Sequence, residues 1–237
     1  MPKIVVPEDR RRRRRPTRSG TVLSEELIVT TALRMLREHG STGLTARRLG
    51  LALDCDPSTL YRYFRGMDEL TLAIGNTLIG QALDGWSPSG SWRDDLGTLG
   101  RRIHAAYVSH PQAAVLTTSR VTGRANELAA DEAVLGVLRG AGLSVTEAVP
   151  IYHAFIDQTL AFAALDAASL ALPNAALHSD EEMWQSTYRR LPAATHPHLA
   201  EAAPLLAAEM VASAYPAALT LLLDGIASRL PQNSRSS

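Results

Sequence analysis

The chain has 237 residues, 46% of them apolar and 20% charged, the balance of a globular protein that buries a sizeable core and not of a disordered one. One cysteine, Cys55, excludes an intrachain disulfide framework; no signal-type apolar block precedes the first helical pattern, and no uninterrupted apolar run reaches the roughly 18 residues of a bilayer crossing, so the expectation is a cytoplasmic protein with no membrane partner. The net charge of zero hides a segregation: residues 1–75 hold 14 Lys and Arg against 9 Asp and Glu, and residues 76–237 hold 10 against 15, which points to an N-terminal module that meets a polyanion.

Residues 1–19 gather Arg10 to Arg15 and Arg18 among prolines and offer little apolar surface to bury, so they read as a disordered basic arm able to lie along phosphates. Ser24 then caps a helix whose Ile28, Ala32, Met35 and Leu36 share one face, ended by Gly40. A second helix opens at Thr45 and runs to about Leu53. After a turn at Asp54 and Cys55, a third begins with Asp56 as cap and Pro57 in the first helical position, with Leu60 and Phe64 inward. A fourth spans Met67 to about Leu83.

Ser91 with Asp94 resembles a capping box for a fifth helix ending near His110. Further helices are expected over about 112–121, 126–139 and 145–171, the last announced by Ser144 and Glu147 and bent at Pro150. A short helix near 180–190 and a final region over 200–230, kinked or divided at Pro216, complete the chain, with His196 and His198 in a loop. No period-two alternation persists, so the class is all-α: an arm (1–19), a three-helix helix-turn-helix domain (20–75) and a larger helical domain (76–237).

The stretch Gly43 to Leu70 carries the most specific chemistry. Two short helices joined by a tight turn place the second where it enters a major groove, with Ser58, Thr59, Tyr61, Arg62 and Tyr63 outward as donors to phosphates or base edges and Arg47 and Arg48 projecting toward the same surface. The run Leu60, Tyr61, Arg62, Tyr63, Phe64, followed by Asp68, Glu69 and Leu70, resembles the TetR family of bacterial transcriptional regulators over about residues 24–75. Trp92-Arg93, Ala141 to Ser144, Pro197 to Leu199 and Leu223 to Gly225 resemble the tetracycline-repressor-like effector domains.

That resemblance implies a homodimeric regulator, usually a repressor, on palindromic double-stranded operator DNA. By position it implies that Arg47, Ser58 and Tyr61 approach base edges and that Thr45, Thr59, Tyr61 and Tyr63 meet phosphates. Two positions depart from the family pattern. Met67 stands where a phosphate-contacting lysine is common, leaving the backbone N–H groups of that helix start, and Asp54 stands where the turn often has glycine.

In the larger domain an unidentified small-molecule effector is expected in a cavity lined by Ile103, Tyr107, Thr117, Tyr152, Ile156, Thr159 and Phe162. Small residues, among them Ala161, Ala163, Ala164, Ala167, Ala212, Ala214, Ala217 and Ala218, would let the long helices of two copies approach. A rival reading makes the chain a DNA-binding protein without a ligand. Another makes it an enzyme or metal protein using His153 and Asp157, whose i, i+4 spacing suits metal ligands but lacks a second pair. Catalytic, cofactor and metal motifs are otherwise absent from the sequence: it has no glycine-rich phosphate loop, nucleophile elbow or paired cysteines.

Overall fold

The computed structural model describes residues 22–209 and 212–230, so the arginine-rich arm lies outside the described residues. Among the described residues the regular elements are α-helices and one 3-10 turn, Ser41–Gly43. The chain divides between Leu70 and Thr71 into two compact units.

The first unit holds α1 (Glu25–His39), α2 (Ala46–Ala52) and α3 (Pro57–Leu60). Each begins where a side chain replaces a missing helical acceptor: Ser24 accepts from Leu27 N–H, Thr45 from Arg48 N–H and Asp56 from Ser58 N–H. Gly40, at φ 69°, closes α1 in the left-handed region that glycine enters without penalty. The core is the predicted set, with Ile28, Ala32, Met35, Leu36, Leu49, Leu53, Leu60 and Phe64 all buried. α3 is shorter than the sequence pattern suggests, and Tyr61 to Tyr63 continue as turns.

The division falls inside α4 (Met67–Leu83), so one helix contributes its start to the first unit and its remainder to the second. The second unit continues with α5 (Trp92–Val108), α6 (Pro111–Thr117), α7 (Ala125–Gly140), α8 (Val145–Leu170), α9 (Asn174–Tyr188), α10 (Pro197–Glu209) and α11 (Tyr215–Arg229). α8 packs against α5, α6, α7 and α11, while α9 and α10 pack on each other. The capping box at its start is complete, Ser144 and Glu147 each satisfying the other's backbone N–H. By length and composition α8 is apolar enough to cross a bilayer, but Ala148, Ile151, Phe155, Thr159, Ala163 and Ala167 place one of its faces in this unit's core.

Several local expectations need correction. Ser91 makes no capping hydrogen bond; the buried Asp95 carboxylate instead accepts from Ser89 N–H at 2.8 Å, Ser89 Oγ at 2.7 Å and Gly90 N–H at 3.2 Å, fixing the loop before α5. The final region is divided ahead of Pro216, which enters the first turn of α11 where its missing N–H costs least. His198 lies in α10 and not in a loop.

Candidate functional site

In the first unit the helix-turn-helix is held by two close approaches. Asp54 turns the chain at φ 51°, the one described non-glycine residue in the left-handed region. Gly50 lets α2 meet the start of α3: a Cβ there would lie 2.9 Å from the Cys55 carbonyl oxygen and 3.1 Å from Pro57 N. Gly50 carries a sequence signal for that approach, a glycine inside a short helix.

With the pair so fixed, Arg47, Arg48, Ser58, Tyr61 and Arg62 are exposed, Tyr61 at 54%, while Leu60 and Phe64 are buried behind them. Thr45 is exposed, and its Oγ1 accepts from Arg48 N–H at 3.3 Å, which leaves the hydroxyl proton available to an outside acceptor. Thr59 is half-buried. The half-buried Tyr63 hydroxyl donates to the Leu23 carbonyl oxygen at 2.9 Å, a bond within the unit's own packing. Half-buried Met67 opens α4, preceded by a hydrogen bond of 2.6 Å from Arg65 N–H to Glu69 Oε2.

In the second unit a cavity of about 320 Å³ opens among α4, α5, α7, α8 and the 118–121 segment. Ile79, Ile103, Tyr107, Ile156 and Leu160 form its apolar wall. Tyr152 crosses from α8 to α7, its hydroxyl donating to Asp131 Oδ1 at 2.7 Å. Glu127 folds back over the 122–123 turn, accepting from Thr122 N–H at 3.1 Å, Thr122 Oγ1 at 3.0 Å and Gly123 N–H at 2.5 Å. Burial and the nearby Glu127 carboxylate push the Tyr107 phenol up to about 12, so it is a neutral hydrogen-bonding group at physiological pH.

Residues 28–74 match the family model for bacterial regulatory proteins of the tetR family, and residues 85–230 match that for the tetracyclin repressor-like C-terminal domain. This chain belongs to the TetR family. Members of the family are DNA-binding transcriptional regulators and not enzymes. A relative from Streptomyces coeruleorubidus, the HTH-type transcriptional repressor DrrR1, is 29% identical over 138 residues, 57% of this chain and 51% of that protein. The chain spans about half the length of the curated relatives it matches.

Among solved structures, one from Streptomyces coelicolor A3(2), described as a possible TetR family transcriptional regulator, is similar with a TM-score of 0.71 and 28% identity over 87% of this chain and 100% of that one. The Streptomyces coelicolor TetR family protein ActR in complex with actinorhodin shares the fold, with a TM-score of 0.73 and 22% identity over 87% of this chain and 98% of that one.

Of the cavity residues expected for this TetR-family chain, Ile103, Tyr107, Tyr152 and Ile156 line the cavity together. Thr117, Thr159 and Phe162 do not. Thr117 is buried with its hydroxyl donating to the Ala113 carbonyl oxygen; Thr159 donates to the Phe155 carbonyl oxygen and meets Tyr215 Oη at 3.0 Å; the Phe162 ring packs at 5.9 Å from that of Tyr215. Thr159 and Phe162 belong to the packing around Tyr215 of α11, and Thr117 lies against Gly75 of α4. The carboxylates Glu127 and Asp131 and the 118–121 segment went unread in the sequence, since a loop has no periodicity and an acidic residue on α7 reads as solvated surface. His153 and Asp157 stand exposed at the cavity's lining, and among the described residues no three His, Cys, Asp or Glu side chains assemble as a metal-binding group.

Proposed function

We propose that this TetR-family chain is a repressor-type regulator that grips palindromic double-stranded operator DNA as a homodimer and releases it when a small molecule fills the cavity among α4, α5, α7 and α8. The observation that carries the reading is that cavity: about 320 Å³, with a broad apolar wall and a few hydrogen-bonding groups from Tyr107, Tyr152 and Asp131, the make-up of an effector site. ActR, which shares the fold, is a regulator seen with a small molecule bound.

On the DNA side, we assign base-edge contact to Arg47, Ser58 and Tyr61 and phosphate contact to Thr45, Arg48, Thr59, Arg62 and the N–H groups at the start of α4. Support comes from the exposure of the side chains that would reach outward and from the caps that orient them. For the homodimer, which is typical of the family, support comes from the outer faces of two packed helices. On α8, Ala154, Ala161, Leu165 and Ala168 form an exposed stripe; on α11, Ala217, Leu221 and Gly225 do the same, with Leu165 at 62% and Leu221 at 72% exposure. Ala163 and Ala167, expected in that seam, face the chain's own core instead.

Selection of bound sites from a pool of random duplexes tests the reading. It should return a two-fold symmetric sequence with half-sites separated by about one helical turn or a related spacing. Ile156→Trp, which fills the cavity, should keep operator binding and lose release by compounds that free DNA from the parent. Recovery of unrelated asymmetric sequences, or release that survives Ile156→Trp, would sink it.

A further inference from the structure

The cavity carries an imbalance of charge that operator release alone does not call for. Glu127 and Asp131, both half-buried, stand one turn apart on α7, and exposed Asp157 adds a third carboxylate at the edge from α8; the basic side chains of the lining, Arg120 and His153, are exposed at that edge too. Asp131 is half-buried, which lets its field act through less water than that of the exposed Arg120. Two phenols feel these carboxylates in addition to their burial. Tyr152 is pushed well above its ordinary range by burial first, then by its hydrogen bond to Asp131 and by the negative charges of Asp131, Glu127 and Asp157; Tyr107 feels burial and Glu127. Burial opposes a charge of either sign, but the carboxylates' field, which opposes a phenolate, favours a cation.

Resting on the effector-cavity reading above, we propose that the effector is a monocationic amphiphile, with an apolar ring body against Ile79, Ile103, Tyr107 and Ile156 and a protonated amine or amidine at the α7–α8 edge between Asp131 and Asp157. The hydroxyl of Tyr152 already donates to Asp131 Oδ1, so the second oxygen of that carboxylate is the acceptor left for an N–H donor. Glu127, its carboxylate already accepting three hydrogen bonds from the 122–123 turn, contributes field rather than a contact.

Fluorescence titration of the full chain with three ring-matched probes tests the proposal: anthracenemethylamine, anthracenemethanol and anthracenecarboxylate, each substituted on the central ring. The ammonium should bind at least about tenfold tighter than the alcohol, and the carboxylate most weakly, a tenfold ratio being the scale set by one favourable charge contact. The double substitution Asp131→Asn with Asp157→Asn, which keeps shape and hydrogen-bonding groups, should bring the ammonium down to the alcohol's affinity and leave the alcohol within about twofold. Glu132→Gln removes a charge from the same helix outside this cavity and should alter neither.

Carboxylate binding equal to or tighter than ammonium binding overturns the proposal, as does an ammonium preference that survives the double substitution. If the alcohol binds, is blocked by Ile156→Trp, and the ammonium gains nothing over it, the effector cavity stands and its cationic preference falls. If none of the three probes binds, the cavity reading falls and takes the proposal with it.

Discussion

The Tyr63 hydroxyl donates to the backbone carbonyl of Leu23, 40 residues earlier in the chain, at 2.9 Å. This bond ties the turn that ends the α3 segment to the chain entering α1, and Leu23 itself is 1% exposed. Tyr63→Phe removes the donor and leaves a part-buried carbonyl without it, a loss of about 1 kcal/mol in the stability of the N-terminal unit. Urea denaturation should show the lower midpoint, while operator affinity of the folded protein stays within about twofold. An unchanged midpoint combined with a large loss of affinity would return Tyr63 to the phosphate backbone.

Tyr61 and Arg47 should behave in the opposite way. Both are exposed and neither supports the core, so Tyr61→Ala and Arg47→Ala are expected to weaken operator binding by about 1–3 kcal/mol each with the denaturation midpoint unmoved. Anisotropy titration against labelled operator measures this. Full affinity in both variants would mean that the reading surface lies elsewhere.

Gly50→Ala pits two known effects against each other. Alanine is favoured over glycine inside a helix by about 1 kcal/mol. The new Cβ, however, would meet the Cys55 carbonyl oxygen at 2.9 Å and Pro57 at 3.1–3.2 Å, all backbone atoms that no side-chain rotation can move away. Overpacking of this kind costs about 1–3 kcal/mol, so the net outcome is a less stable unit with α3 displaced and operator affinity reduced. A stabilised variant with parental affinity would show that the turn yields freely.

Asn126 offers a way to separate ligand binding from its consequence. It sits at the start of α7 beside Glu127, its N–H donating to Asn76 Oδ1 and its Nδ2 to the Asn76 carbonyl oxygen, both at 2.9 Å. A Cβ on Gly80 would lie 2.3 Å from the same Nδ2, so α4 and α7 touch without slack. Asn126→Ala breaks the clamp outside the cavity lining. Effector affinity measured directly should remain within about threefold of the parent, whereas the effector concentration that frees half the operator should rise about tenfold or more. Parallel shifts in both quantities would locate the coupling in another contact.

Much of the fold was readable because its signals are local. Ser24, Thr45, Asp56 and the Ser144–Glu147 box are caps whose side chains act within three residues, and each does what the sequence pattern implies. Ser91 fails as a cap because its hydroxyl donates to Asp94 Oδ2 at 2.9 Å, while buried Asp95 gathers the loop donors of Ser89 and Gly90, and burial is not a local signal. The cavity shows the same boundary. Helical spacing correctly groups Tyr152, Ile156 and Thr159 on neighbouring faces of α8, but one residue is 100° of helix, and the cavity takes Leu160 while Thr159 turns to Tyr215. Which side of a surrounded helix meets empty space depends on its neighbours.

α8 has three working faces within 26 residues: one in the core with Phe155 and Ala163, one on the cavity with Tyr152 and Ile156, and an outer stripe with Leu165 offered to a second copy. A helix that is at once wall and seam cannot shift for one occupant in private. In the proposed dimer, the displacement that the first effector molecule imposes on its own α8 is presented to the partner's α8 before the second molecule arrives. The response to effector should then be graded by cooperativity, with a release curve steeper than simple saturation and a Hill coefficient above one, bounded by the two sites of the pair. Such a regulator would act over a narrow window of effector concentration, holding its operator through low background levels and letting go abruptly above a threshold.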